Sequence, residues 1–319
     1  MDKKGQIPAI VIFAPTACGK TALVQRIFGE GSLSCFKGAG EVISADSQAV
    51  YRYMDIGTAK PTAEEMASLP HHLVDVVEPD KQFGAGEFLE EADRICREIH
   101  ARGKIPVIVG GTGFYIRAFL LGLPPTPISD PVMREKIKQR LSTEGNAALY
   151  HELKQIDSEY AKKIDLHDGY RICRALEVYY SSGKTLSSYM IPVENRSEYS
   201  FCTIILQRDR KELYSRIDQR VISMFENGLR DEVEKLRQMG YGKDSPGMKA
   251  IGYREFFDGE SQADADLISR IQHNSHRYAK KQYTYMNGIS GIQINADDID
   301  GVEKAISSFC SQEHFPAGW

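Results

Sequence analysis

The sequence has no Cys-x-x-Cys pair, no apolar run of membrane-span length, no internal repeat and no low-complexity tract. Each absence excludes a class. The six cysteines stand at 18, 35, 96, 173, 202 and 310, spacings that form neither a zinc site nor a disulfide framework. Reduced thiols of a cytoplasmic protein are therefore expected. A membrane helix needs roughly 20 consecutive apolar residues, and no window approaches that. The run from Ile7 to Ala14 is short, contains Pro8 and leads straight into Gly-Lys-Thr, so it does not read as a signal peptide. A positive excess is missing as well: 40 Lys+Arg face 44 Asp+Glu, a net charge of −4. Such a balance gives no bulk attraction to nucleic acid, and RNA binding would need charge sorted locally.

What remains is an ordinary globular composition, 42% hydrophobic and 26% charged over 319 residues. That length suggests two compact units or one core with a large insertion. Residues 7–13 (IPAIVIF) read as a buried strand, followed by a Gly-Lys turn and the helical pattern TALVQRIF. EVISA (41–45) is a second strand ending on Asp46. Residues 87–102 place Phe88, Ala92, Ile95 and Ile99 on one helical face, with Gly103 as a stop. KIPVIVGG (104–111) is a third buried strand. Strands buried on both sides and alternating with helices predict a parallel α/β sheet.

Four prolines in 122–131 mark a break. Beyond it, up to about 186, only helical patterns occur, the clearest running from Gly169 to a stop at Gly183. A strand returns at 201–206. The expected organisation is an α/β core over 1–124 and 200–319, interrupted by an all-helical insertion at 125–199. Helices are predicted at 210–226, 229–239, 264–286 and 299–311, with a short strand at 292–294.

The segment Ala14-Pro15-Thr16-Ala17-Cys18-Gly19-Lys20-Thr21 nearly matches a phosphate-binding P-loop, failing only at its first glycine. Loop amides line up on a phosphate, the lysine adds charge and the hydroxyl can ligate Mg²⁺. Its place between a buried strand and a helix N-terminus suits an anion. Kinases, NTPases and transferases share this loop, so it does not settle function. An NTPase strand usually ends in an acid that holds Mg²⁺. Here 104–109 ends in Gly110-Gly111-Thr112-Gly113, whereas 41–45 ends in Asp46. Asp46 suits a Mg²⁺ ligand, a helix cap or a general base.

Separated blocks narrow the choice. ISADSQAVYRYMDIGTAKPT (43–62), PHHLVDVVEP (70–79), RGKIPVIVGGTGFYIRAFL (102–120), RICRALEVYYSSGKTLS (171–187), DRKELYSRIDQRVISMFENGLRDEV (209–233) and AIGYREF (250–256) occur in one order. Together they resemble the tRNA dimethylallyltransferase family, bacterial type. The resemblance implies a P-loop NTPase-like α/β fold with a helical insertion that binds the anticodon arm. It implies transfer of a dimethylallyl group from dimethylallyl diphosphate to N6 of the adenosine 3′ to the anticodon. By the same resemblance, loop 14–21 and Arg220 hold the diphosphate, Thr21 holds Mg²⁺ as cofactor, and Asp46 is the base. Implied tRNA contacts fall on Asp46, Ser47, Gln48, Ala49, Thr112, Arg134, Tyr170, Arg171, Ile172, Cys173, Arg174, Lys249, Ala250, Ile251, Gly252, Tyr253 and Arg254. Arg171 and Arg174, three apart on a helix, would form a phosphate clamp.

Residues 267–289 add four Lys/Arg and three tyrosines without an acid, a local basic-aromatic patch offset by the acidic tail at Asp297, Asp298, Asp300 and Glu303. The chain departs from the family pattern at Ala14 (glycine), Ala49 (glutamine), His276 (arginine) and Tyr285-Met286-Asn287 (Trp-Phe-Arg), and, as in the bacterial form it resembles, no zinc-finger extension is expected. A monomer is expected, one tRNA arm being held between core and insertion. Competing readings are a nucleoside-monophosphate-type kinase, an adenylate prenyltransferase acting on free nucleotide, and an RNA-binding protein without catalysis.

Overall fold

The computed structural model describes residues 5–127, 130–258 and 263–313. The described strands form one parallel sheet: β1 (Ile7–Phe13), β2 (Gly40–Ser44), β3 (His71–His72), β4 (Ile105–Gly110), β5 (Tyr199–Gln207) and β6 (Ile292–Asn295). Their spatial order is β3-β2-β4-β1-β5-β6, and every pairing is parallel. β2 and β4 are buried along their whole length, as expected where helices cover both faces. β1 lies between β4 and β5, and its successor β2 lies beyond β4. Successive connections step one way from β1 to β2 and the other way from β4 to β5, and the carboxyl ends at this switch point form the crevice where such sheets bind ligands.

α1 (Lys20–Phe28) follows β1 and buries Leu23, Val24, Ile27 and Phe28 on the sheet. α3 (Ala85–Ala101) buries Phe88, Ala92, Ile95 and Ile99 and ends before Gly103, whose φ of 72° is the left-handed stop. α8 (Arg210–Glu226), α9 (Leu229–Gln238), α10 (Asp264–Met286) and α11 (Ile299–Gln312) complete this part of the chain. Three elements escaped the sequence reading. α2 (Ala63–Ser68) buries nothing and is held by a Thr62–Glu65 capping box, so it carries no apolar period. β3 is too short to show one. α4 (Gly113–Leu121) buries Tyr115, Ile116, Ala118, Phe119 and Leu120, nearly its whole circumference, and so lacks a polar face.

Two compact units result: Met1–Leu120 with Arg196–Trp319, and Leu121–Asn195. Both bounds of the second unit fall earlier than the expected 125–199. The helix before the proline-rich stretch runs on to Leu121, and Arg196 already belongs to the sheet unit through a two-pronged pair with Asp93 at 2.7–2.8 Å. The described part of the second unit is helical: α5 (Pro131–Ile156, kinked at Gly145 with φ 82°), α6 (Ser158–Ala161) and α7 (Gly169–Ser182). Ile137, Leu149, Leu153, Ala161, Ile172, Ala175 and Leu176 form its own buried core. Among the described residues no helix is long and apolar enough to cross a membrane.

Candidate active site

The loop Ala14–Gly19 joins β1 to α1 at the carboxyl edge of the sheet. Its geometry explains the missing glycine. Ala14 is fully buried, and its φ is not positive; the left-handed positions are Ala17 (φ 59°) and Gly19 (φ 103°). Glycine is therefore demanded at 19 and not at 14. Lys20 folds over the loop, its ammonium donating to the carbonyls of Ala14 at 3.1 Å and Pro15 at 2.9 Å. Burial lowers its pKa to about 8, although Asp46 acts to raise it.

Three arginines brace the loop. Arg220, on α8, donates to the Thr16 hydroxyl at 3.3 Å and to the Thr58 carbonyl at 3.2 Å. Burial lowers its pKa, and Asp46 opposes that shift. One helical turn earlier, Arg216 donates to the Ala17 carbonyl at 2.9 Å. Buried Arg208, just beyond β5, donates to the Cys18 carbonyl at 3.3 Å and is itself paired with Asp297 and Glu212. Arg208 and Arg216 were not singled out from the sequence; the signal available was their four-residue spacing with Glu212 and Arg220 along one face.

Asp46 follows β2 and faces the same crevice. One carboxylate oxygen accepts from the amides of Gln48 at 2.9 Å and Ala49 at 3.4 Å, so Asp46 caps a turn and not a helix. Among the described residues its other oxygen has no hydrogen-bond partner. The cap and base readings therefore engage different atoms of one group. Beside it, Ser47 donates its amide to the Thr112 hydroxyl at 2.9 Å, and the Gln48 side-chain oxygen is buried without a partner among the described residues. A cavity of about 70 Å³ is lined by Lys20, Thr21 and Asp46 together with polar Ser44, Thr58, Lys60 and His71 and apolar Val42, Val109, Ala49 and Pro61. Lysine ammonium groups, hydroxyls and a carboxylate thus share one small, partly apolar chamber.

α10 supplies residues that the sequence did not resolve. Tyr278 lies within hydrogen-bond reach of Thr112 and Gln282, and burial raises its phenol pKa to about 12. The expected patch of three tyrosines is corrected accordingly: Tyr278 and Tyr283 turn inward, Tyr283 donating to the Arg208 carbonyl at 3.1 Å, while Arg277, Lys280, Lys281 and Tyr285 are exposed. His276, standing for an arginine, lies 2.9 Å from Asp218 and stacks on Tyr214 with ring centroids 4.2 Å apart.

Some side chains expected to touch RNA are not at the surface. Ile172 belongs to the core of the helical unit, Ala250 is buried, and Tyr253 is fully buried with its phenol donating to Glu232 at 2.6 Å. Gly252 is also buried, its amide donating to Glu255 at 2.8 Å. These residues shape the surface from beneath; Lys249 is exposed, and Ile251 and Arg254 are partly so. In the helical unit the expected arginine clamp is split. Arg171 is exposed and pairs with Asp168 at 2.7 Å, whereas Arg174 turns in to Glu177, Thr126 and the Pro127 carbonyl. Arg134 is exposed and 3.9 Å from Glu177, Cys173 is half-buried, and Tyr170 is 73% exposed.

A family model described as IPP transferase matches residues 49–288. Among curated relatives, a tRNA dimethylallyltransferase of Thermoanaerobacter sp. (strain X514) is 43% identical over 306 residues, covering 93% of this chain and 95% of its own. One from Acetivibrio thermocellus is 39% identical over 305 residues, covering 94% and 95%. Among solved structures, a tRNA isopentenylpyrophosphate transferase of Bacillus halodurans superposes with a TM-score of 0.67 at 33% identity, covering 97% of this chain and 98% of its own. A eukaryotic dimethylallyltransferase acting on tRNA superposes with a TM-score of 0.75 at 25% identity, covering 97% and 80%.

Proposed function

Because the chain belongs to the tRNA dimethylallyltransferase family, we propose that it moves a dimethylallyl group from dimethylallyl diphosphate to N6 of the adenosine 3′ to the anticodon in tRNA. The products are N6-isopentenyladenosine and diphosphate. The observation that carries the assignment of roles is the placement of Lys20, Thr21 and Asp46 around one chamber.

In the reaction the allylic C1–O bond breaks, the C1–N6 bond forms, and N6 loses a proton. Charge builds on the departing diphosphate. The loop amides, Lys20 and Arg220 neutralise it, and a guanidinium suits two-pronged contact with phosphate. The N6 lone pair is delocalised into the purine, so the amine is a weak nucleophile until a base takes its proton. The Asp46 oxygen not used in the turn is that base. The target adenine is extruded from the anticodon loop at a cost of a few kcal/mol.

Thr21 fits a Mg²⁺ ion. Thr21 borders the chamber beside Lys20 and Asp46, and its hydroxyl is a hard oxygen donor of the kind Mg²⁺ takes. Thr21, diphosphate oxygens and water would complete its shell, and the ion would supply further neutralisation of the leaving group. Exposed Tyr170, Arg171, Arg134, Lys249, Arg277, Lys280 and Lys281 are among the side chains available to RNA. The enzyme acts in the cytoplasm on this reading.

The test is incubation with labelled dimethylallyl diphosphate, Mg²⁺ and either an anticodon stem-loop or AMP. Label in the stem-loop is expected. Label only in AMP would mean a free-nucleotide prenyltransferase, and ATP consumption with neither labelled would mean a kinase.

A further inference from the structure

Gln282 on α10 is 4% exposed, and both ends of its amide are committed to distant backbone. Its carbonyl oxygen accepts from the Thr16 amide at 3.0 Å, inside the phosphate loop. Its nitrogen donates to the Gly111 carbonyl at 2.8 Å, just beyond β4. The two contacts tie the phosphate loop after β1 to the glycine segment after β4. Thr16 is also held by Arg220 through its hydroxyl. Gly111 precedes Thr112, whose hydroxyl receives the Ser47 amide next to Asp46. One buried side chain thus connects the leaving-group cradle with the Gly111-Thr112 segment, which in turn holds the residue next to the base.

We infer that Gln282 is a positioning residue for the transfer, holding the diphosphate cradle and the Asp46 segment at a set separation. The inference rests on the roles proposed above. Three features support it. A buried amide that loses its partners leaves unsatisfied groups on both sides, so the link holds only while both bonds are made. Gly111 has no room for a side chain, because a Cβ there would overlap the Gln282 nitrogen. The Thr16 amide is committed to protein, so the cradle presents its remaining amides in a fixed frame. Rate in such a site depends steeply on the spacing between leaving group and acceptor.

Gln282→Met keeps the length and removes both bonds. For it we expect inorganic pyrophosphate binding, read by calorimetry without RNA, to weaken about tenfold or more. The donor KM should rise by a similar factor and kcat should fall, with the stem-loop KM within about twofold of wild type. Gly111→Ala displaces the Gln282 side chain without altering it and should give the same pattern if the methionine variant does not fold. A variant with a lowered Tm and fewer active molecules, but unchanged pyrophosphate affinity and donor KM, would overturn the inference. So would wild-type behaviour in both variants. The pyrophosphate measurement decides the cradle arm even if the stem-loop accepts no label, so failure of the functional reading and failure of this inference are separable.

Discussion

At the residue scale the site is economical: single groups serve the backbone with one atom and the chemistry with another. Asp46 caps its turn with one oxygen, lines the chamber, and has no hydrogen-bond partner on its second oxygen among the described residues. Asp46→Asn keeps a carbonyl acceptor for the turn and loses the basic oxygen. It should retain stem-loop binding while turnover falls by about 10²–10⁴; turnover within threefold of wild type, measured with labelled donor, would remove the base role. Arg220→Ala should act differently, raising the donor KM with little effect on the stem-loop KM, because the Arg220 hydrogen bonds go to the cradle and the Thr58 carbonyl. Lys20 makes the site pH-dependent. Its pKa lies near 8, below the ordinary 10.5, so its charge is lost as pH rises through about 8 in the free enzyme. The donor kcat/KM should fall across that window, and Lys20→Arg should flatten the fall; a wild-type profile flat to pH 9 would contradict this. Stability runs the other way. Between about 8 and 10.5 the unfolded chain holds the Lys20 proton that the folded one has released, so this group's contribution to stability grows as pH rises.

At the element scale, the segment between β2 and α2 is anchored from α9. The Glu232 carboxylate accepts from the amides of Asp55 at 2.8 Å, Ile56 at 2.8 Å and Gly57 at 3.2 Å, and from the Tyr253 phenol. Tyr253 lies against Gly57, where a Cβ would meet its ring. Lys60 secures the other end through the Tyr51 carbonyl, Asp55 and Asp75. Between the two anchors sits the Thr58 carbonyl that receives Arg220. Glu232→Ala would strand three amides and a buried phenol, and should lower the unfolding free energy by about 2–4 kcal/mol in urea titration. In the helical unit, Leu176→Ala opens a cavity in a small core and should cost about 2–5 kcal/mol by the same measurement.

At the scale of the whole molecule, the helical unit leaves and re-enters the sheet unit at neighbouring points. The Arg196 amide donates to the Leu120 carbonyl at 2.9 Å, and Arg196 is fixed by Asp93, which also accepts from the Tyr199 phenol at 2.7 Å. A short Gly-rich turn should therefore replace 121–195 without straining the sheet, since insertions are best tolerated where chain ends meet. The shortened protein is expected to fold and to bind inorganic pyrophosphate within about threefold of the full chain, while transfer to the stem-loop drops below detection. Circular dichroism and calorimetry check the first half, labelled donor the second. Loss of pyrophosphate binding in a folded product would show that the cradle depends on the helical unit.

Much of this was legible in the chain itself. Buried strands, the glycine-lysine turn, the stops at Gly103 and Gly183 and the helical patterns between them follow from local rules: periodicity, φ preference and capping act over a few residues. The six blocks likewise named the family that full-length relatives bear out. Tertiary structure alone decided which side chains meet. Local pattern did not reveal that Tyr253 and Arg174 turn inward, that Glu232 and Arg208 are anchors, or that Gln282 reaches from a late helix to the first loop, because contacts 171 and 266 residues apart leave no periodic trace. Burial is a property of the assembled layers, and a polar residue's partner becomes definite only once those layers have closed around it.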